Sequence, residues 1–152
     1  MRTTNKNISI KKRAGSGKLF VYGTLRGQYG HKLSKLIREN FQLIGVGHIK
    51  GDLFDIGKYP GAVLSRSTSN NIVGEIYQAK KETDIDSTLK ILDKYEGYYQ
   101  GDLPASEYIR KRKFVKLKNG KRVLSWVYLY NKPVANKHLI EGGDYLRHLE
   151  SR

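Results

Sequence analysis

Short apolar runs separated by Gly, Pro, Ser and Asn make up much of the first half of the chain. They are rich in Val, Ile, Leu, Phe and Tyr, and they span Phe41–Lys50, Asp52–Ile56, Ala62–Ser65 and Ile72–Gln78. Runs of this length, bounded by turn-forming residues, are typical of β-strands. Another buried strand is indicated by Leu19–Tyr22, which is followed by a glycine. A sheet therefore dominates the predicted fold.

A hairpin is predicted in the second half of the chain, at the dipeptide Asn119-Gly120. This dipeptide separates two long stretches of β-type residues, Tyr108–Leu117 and Val123–Tyr130. Asn and Gly both tolerate a positive φ angle, which a two-residue hairpin turn requires at both of its central positions. We therefore expect the two stretches to pair as antiparallel strands.

Helical periodicity is confined to a few segments. Leu33, Leu36 and Ile37 recur at helical spacing, and Thr83–Gly97 has a capping residue at its start and a glycine at its end. With about seven strands, two or three flanking helices and no alternating βα units, the chain is predicted to be an α+β domain. Its mainly antiparallel sheet is expected to curl into a small β-barrel, which argues against a parallel Rossmann-type sheet.

The length of 152 residues is appropriate for one globular domain, which we place at residues 18–152. Residues 1–17 contain several Lys and Arg side chains, and Ile8 and Ile10 are their only bulky aliphatic residues. This composition predicts a flexible basic tail.

The net charge and the lack of cysteine limit the functional classes. Lys and Arg number 29 against 14 Asp and Glu, so the formal charge is +15, which favours anionic partners such as nucleic acid or small carboxylates. The absence of cysteine excludes disulfides, thiolate nucleophiles and iron–sulfur clusters, and it is compatible with the cytoplasm, the location we expect.

No apolar run approaches the roughly 20 residues of a membrane span, so no membrane association is predicted. The four histidines lack metal-ligand spacing, so no metal site is assigned.

A carboxylate lies on the apolar face of the predicted helix Thr83–Gly97. Ile85, Leu89 and Leu92 form the apolar stripe, and at about 100° per residue Glu96 falls within it. Loss of hydration and the negative end of the helix dipole should both raise the pKa of Glu96. Two interpretations remain open. Glu96 either extends to solvent or pairs with a Lys or Arg, or it lines a cavity and transfers a proton near neutral pH.

A second unusual element is the segment Val21–Arg26, where a buried strand ends at Gly23. Successive backbone N–H groups in such a turn can converge on a carboxylate or a developing oxyanion. An ordinary strand-to-helix turn is the alternative interpretation. Tyr59-Pro60-Gly61 is likewise a turn that could shape a pocket wall.

The predicted hairpin is strongly basic between Arg110 and Arg122. Such a charge run usually keeps a sheet edge soluble. The alternative function that it raises is a nucleic-acid-binding module without catalytic activity, with Tyr and Trp side chains available for base stacking. The sequence does not indicate an oligomeric state.

Four motifs in order along the chain resemble the gamma-glutamylcyclotransferase-like family, particularly its gamma-glutamylamine cyclotransferase branch. The motifs are Val21-Tyr22-Gly23-Thr24-Leu25-Arg26, Tyr59-Pro60-Gly61, Gly74-Glu75-Ile76-Tyr77 and Leu92-Asp93-Lys94-Tyr95-Glu96-Gly97. The resemblance extends roughly from Lys18 to Tyr145 and leaves the basic tail outside it.

The resemblance implies a small mixed β-barrel, with a pocket beside its mouth and no cofactor. It marks Glu96 as the catalytic acid/base residue, and Tyr22, Gly23, Thr24 and Leu25 as the substrate-binding loop. The reaction that it implies is intramolecular attack of the α-amine of a γ-glutamyl group on its own γ-carbonyl. That reaction releases 5-oxoproline and an amine or amino acid, so the implied partner is a small-molecule γ-glutamyl substrate.

Overall fold

The computed structural model describes residues 17–26 and 32–152. The predicted basic tail therefore lies outside the described residues, except for Gly17. The carbonyl oxygen of Gly17 accepts a hydrogen bond from the backbone N–H of Ala79 at 2.7 Å.

Seven strands and three helices occur in the described part of the chain. The strands are β1 (Lys18–Val21), β2 (Phe41–Asp55), β3 (Pro60–Leu64), β4 (Asn71–Ala79), β5 (Tyr108–Leu117), β6 (Arg122–Tyr130) and β7 (His138–Leu139). The helices are α1 (Lys32–Asn40), α2 (Ile85–Glu96) and α3 (Tyr145–Glu150).

Five of the strands close into a barrel in the order β2-β4-β1-β6-β5, with β5 pairing back to β2. The β1–β6 pairing is parallel, with Leu19 opposite Trp126, and the other pairings are antiparallel. The prediction of an α+β domain with a mixed, mainly antiparallel barrel is confirmed. No helix among the described residues is both long enough and apolar enough to cross a membrane.

Strand β2 is long because it belongs to two pairing systems. Its first part, through Lys50, pairs with β4 in the barrel, and its last part, from Gly51, pairs with β3 and β7 outside the barrel. The prediction of two strands separated at Gly51 is wrong. A Cβ atom at this position would lie 2.7 Å from the Val63 carbonyl oxygen, so the glycine permits close strand packing instead of a turn.

The hairpin between β5 and β6 confirms the predicted pairing but not the predicted turn. Residues 118–121 connect the strands, and only Gly120 has a positive φ, of 89°. Asn119 instead accepts a hydrogen bond from the backbone N–H of Lys121 through its side-chain oxygen, at 2.8 Å. This side-chain contact stabilises a longer connection than the two-residue turn that we expected.

Strand β1 is buried on both faces, as its uninterrupted apolar run indicates. Phe20 packs into a cluster with residues of the barrel strands, including Ile76 and Val127. Leu19 and Val21 belong to a second cluster, which also contains buried residues of α1 and α2. The end of β1 is therefore fixed between the barrel and its covering helices, and this is where the candidate site lies.

Candidate active site

A cavity of about 160 Å³ lies at the end of β1. It is lined by Leu19, Phe20, Val21, Tyr22, Gly23, Thr24, Leu25, Tyr59, Pro60, Tyr95, Glu96, Glu107, Tyr108 and Tyr128. All five residues that the sequence singled out for the site, four from the loop after β1 and one from the end of α2, are among them. The structure thus brings together two segments that are far apart in the sequence.

The loop after β1 forms a tight turn against Pro60. The backbone N–H of Arg26 donates to the carbonyl oxygen of Gly23 at 3.0 Å and closes the turn. A Cβ atom at Gly23 would lie 2.8 Å from Pro60 Cγ, and the φ of Gly23 is not in the left-handed region. Glycine is therefore required here by the proximity of Pro60, not by an unusual backbone conformation.

Two backbone donors of this loop are available in the cavity wall. Within residues 17–26 and 32–152, the N–H groups of Thr24 and Leu25 have no hydrogen-bond acceptor. Both residues line the cavity. Unpaired backbone donors at a cavity can bind a carboxylate or an oxyanion.

Tyr22 is a fixed and uncharged part of the cavity wall. Its hydroxyl donates to the Tyr128 carbonyl oxygen at 2.6 Å and accepts from the Ala62 backbone N–H at 3.3 Å. Burial raises the pKa of Tyr22 far above its ordinary value, and the charge of nearby Glu96 raises it further. Tyr22 therefore remains protonated and can hold the start of the loop in place.

Helix α2 carries Glu96 to the cavity as its last residue. The helix is capped at its start by Asp84, and it ends because Gly97 adopts the left-handed conformation, with φ of 68°. Leu89 and Leu92 are buried, as the predicted apolar stripe requires. Glu96 shares their face and lines the cavity.

The carboxyl group of Glu96 is half-buried and makes no hydrogen bond or ion pair with any residue that the structure describes. Burial, followed by the negative charges of Glu107 and Asp93, raises its pKa to about 8. The interpretation that Glu96 pairs with a Lys or Arg is therefore wrong for this part of the chain. A carboxyl group with this pKa can both accept and donate a proton near neutral pH.

Asp93, one helical turn before Glu96, has the opposite environment. Its two carboxylate oxygens accept hydrogen bonds from Arg110, from Nε at 2.7 Å and from a terminal nitrogen at 3.0 Å. The Tyr128 hydroxyl donates to the same carboxylate at 2.6 Å. This buried ion pair attaches α2 to β5 and β6, and so it sets the position of Glu96 relative to the barrel.

A second carboxylate in the cavity, Glu107, was not identified from the sequence. The Tyr59 hydroxyl donates to Glu107 Oε2 at 2.5 Å, and this bond is the main reason that the pKa of Tyr59 is raised to about 12. Glu107 directly precedes β5, outside any helical or strand pattern, so periodicity could not reveal it. The sequence did indicate Tyr59 in part, because the turn Tyr59-Pro60-Gly61 was expected to shape a pocket wall.

The basic residues of the hairpin lie away from this cavity. Several stack on aromatic side chains: the guanidinium of Arg110 is 4.4 Å and that of Arg112 is 5.3 Å from the Trp126 ring centroid, and that of Arg122 is 4.9 Å from the Phe114 ring centroid. These contacts stabilise the charged surface of the sheet. No group of three or more His, Asp or Glu side chains with metal-binding geometry occurs in residues 17–26 and 32–152.

Comparison with known proteins identifies clear relatives. A family model described as "Gamma-glutamyl cyclotransferase, AIG2-like" matches residues 19–147. The chain is 32% identical over 130 residues to the gamma-glutamylcyclotransferase family protein YtfP of Escherichia coli K12, and the match covers 85% of this chain and 96% of that protein.

Solved structures agree with this match. The solution NMR structure of ytfP from Escherichia coli is similar with a TM-score of 0.56 and 31% identity, over 86% of this chain and 97% of that one. YkqA from Bacillus subtilis is similar with a TM-score of 0.61 and 27% identity, over 90% of this chain and 43% of that one. The resemblance noted in the sequence is therefore confirmed.

Proposed function

Because the chain belongs to the gamma-glutamyl cyclotransferase, AIG2-like family, we propose that it releases 5-oxoproline from a γ-glutamyl amine or a related γ-glutamyl compound. The observation that carries this proposal is the meeting of Glu96 and the loop Tyr22–Leu25 in one cavity. The loop supplies unpaired N–H donors and Glu96 supplies a carboxyl group with a pKa of about 8.

In the proposed reaction, Glu96 accepts a proton from the α-ammonium group of the substrate. The freed amine nitrogen attacks the γ-carbonyl carbon, and a new C–N bond closes the five-membered ring. Glu96 returns the proton to the departing nitrogen as the original amide C–N bond breaks, and it then takes the second proton that the attacking nitrogen loses on becoming the ring N–H. This second proton passes to the released amine, which leaves as an ammonium ion. Atoms and charge balance without water or a cofactor, and the raised pKa suits a group that acts first as base and then as acid.

The loop after β1 has the complementary role in this proposal. The N–H groups of Thr24 and Leu25 bind the α-carboxylate of the substrate or the oxyanion that forms at the γ-carbonyl. Tyr22 and Gly23 complete the substrate-binding wall. Tyr22 is fixed by its bond to Tyr128, and Gly23 by the contact with Pro60.

The experiment that tests the function is a panel of γ-glutamyl compounds, namely γ-glutamyl amines, γ-glutamyl amino acids and glutathione, followed for release of 5-oxoproline. We expect release from at least one of them by the purified wild-type chain. Absence of 5-oxoproline from the whole panel would overturn the proposal. The family match does not favour the alternative of a non-catalytic nucleic-acid-binding module.

The pH dependence should follow the pKa of Glu96. The carboxylate is the form that accepts the proton, so kcat/KM should rise with pH up to about 8 and level off above it. Measuring kcat/KM from pH 5 to pH 10 checks this prediction. A profile that is already flat at pH 6 would indicate a base with the ordinary pKa of a carboxylate.

Replacing Gly23 with valine should abolish substrate binding while the domain remains folded. The loop must shift to accommodate the new side chain, because the Cγ and Cδ atoms of Pro60 lie 2.8 Å and 3.0 Å from the Cβ position, and this shift displaces the N–H groups of Thr24 and Leu25. Binding and the melting temperature should be measured for G23V and for the control G101V, because a Cβ atom at Gly101 has open space around it. If the melting temperature of G23V falls in parallel with binding, Gly23 is chiefly a folding residue.

A further inference from the structure

The cavity has the opposite charge from the chain as a whole. The chain has a formal charge of +15, yet the fourteen described residues that line the cavity include no Lys, Arg or His. Two of them, Glu96 and Glu107, are carboxylic acids. A second anionic ligand group, beyond the one that the loop N–H groups bind, would meet Glu107 without a cationic side chain in the described cavity wall.

Glu107 is held in a fixed position at this wall. Its backbone N–H donates to the Gly97 carbonyl oxygen at 3.0 Å, and its own carbonyl oxygen accepts from the Asn131 N–H at 2.8 Å. The Tyr59 hydroxyl fixes Oε2 of the side chain. The other oxygen, Oε1, has no hydrogen-bond partner in the described part of the chain.

Tyrosine rings surround this carboxylate. Tyr59 and Tyr108 line the cavity with it, and their ring centroids are 6.2 Å apart. Tyr130 packs edge-on against Tyr108 at 5.3 Å, and burial, followed by the charge of Glu107, raises the pKa of Tyr130. A carboxylate beside aromatic rings is an arrangement that binds organic cations, because both the charge and the ring faces attract an ammonium group.

The proposed reaction leaves Glu107 without a role. Glu96 exchanges protons with the amine and amide nitrogens, and the loop amides take the α-carboxylate or the oxyanion. The remaining part of the substrate is the leaving amine, and the remaining charged group of the cavity wall is Glu107.

We propose that Glu107, with Tyr59 and Tyr108, forms a subsite for a positively charged group on the leaving part of the substrate. This inference rests on the proposed function and narrows it. The preferred substrates are γ-glutamyl amides of diamines, whose leaving part carries an ammonium group and no carboxylate. Glu107 is then a specificity residue.

Three substrates of equal chain length test this subsite. They are the γ-glutamyl amides of 1,4-diaminobutane, pentylamine and 5-aminopentanoate, whose tails end in a cationic, a neutral and an anionic group. For the wild type we expect kcat/KM to decrease in that order, with a difference of roughly 10-fold or more between the first two, the size of a hydrogen bond to a charged group. Most of this difference should lie in KM.

The variant E107Q should still form 5-oxoproline but lose the preference for the cationic tail. If the substitution alters the reactivity of Glu96, the rates of all three substrates change by the same factor. The ratios of kcat/KM among the three substrates within one variant therefore report on the subsite alone. The control is E141Q, which removes an exposed carboxylate and should keep the wild-type ranking.

Equal kcat/KM values for the three substrates with the wild type would overturn the subsite while leaving the proposed function intact. An unchanged preference in E107Q would overturn the role of Glu107. Failure to form 5-oxoproline from these substrates and from the wider panel would overturn the function itself, and the subsite with it. The wild-type ranking needs no variant, so it tests the subsite even if E107Q does not fold.

Discussion

Replacing Glu96 with glutamine should lower turnover by roughly 100-fold or more, because the variant keeps the shape of the side chain but cannot exchange a proton. We expect KM to change much less, since glutamine occupies the same space in the cavity. The measurement is the rate of 5-oxoproline formation by E96Q, the wild type and E141Q. A wild-type rate for E96Q would remove Glu96 from the mechanism.

The same substitution should not destabilise the protein. The pKa of Glu96 is raised from 4.5 to about 8 on folding, so between these pH values the folded chain binds a proton that the unfolded chain has released. The stability that the protonated Glu96 side chain contributes is therefore complete below pH 4.5 and is lost as pH rises through 8. E96Q has no such loss, and above pH 8 its melting temperature should equal or exceed that of the wild type. A lower melting temperature for E96Q at pH 9 would indicate a structural role for the carboxylate.

Replacing Arg110 with methionine should cause a large loss of stability. Arg110 is the bidentate partner of Asp93, and both side chains are about nine-tenths buried. Removing one partner leaves a buried carboxylate with only the Tyr128 hydroxyl, which costs roughly 3–5 kcal/mol. For a chain of this size the melting temperature should fall by about 10 °C.

Arg112 provides the matched control for this experiment. It lies on the same strand and its guanidinium also faces Trp126, but the residue is exposed. We expect R112M to cost about 1 kcal/mol or less, because an exposed cation–π contact is weak. Equal melting temperatures for R110M and R112M would contradict the role assigned to the Asp93–Arg110 pair.

The sequence predicted the elements of this fold well where periodicity determined them. The helix carrying Glu96 was predicted from its apolar stripe and its caps, because amphipathic spacing and capping are local properties. The strands on either side of Asn119-Gly120 were also predicted. Their turn was not, because a side-chain hydrogen bond from Lys121 N–H to Asn119 favours a longer connection.

Non-local contacts explain what the sequence could not predict. Gly51 looked like a turn residue, but it is glycine because the Val63 carbonyl of a neighbouring strand approaches it. The position of Glu107 in the cavity depends on Tyr59, which is 48 residues away, and on the end of α2. Such contacts exist only after the barrel has closed, so no local pattern in the sequence indicates them.

The most direct measurement of the proposed chemistry uses a γ-glutamyl substrate labelled with ¹⁵N at its α-amine, in water enriched with ¹⁸O. Intramolecular attack predicts that the glutamyl product is 5-oxoproline alone. It should keep the ¹⁵N in its ring, contain no ¹⁸O, and form in equal amount with the released amine. Formation of ¹⁸O-labelled glutamate would show that water, and not the α-amine, attacks the γ-carbonyl, and this result would contradict cyclotransfer.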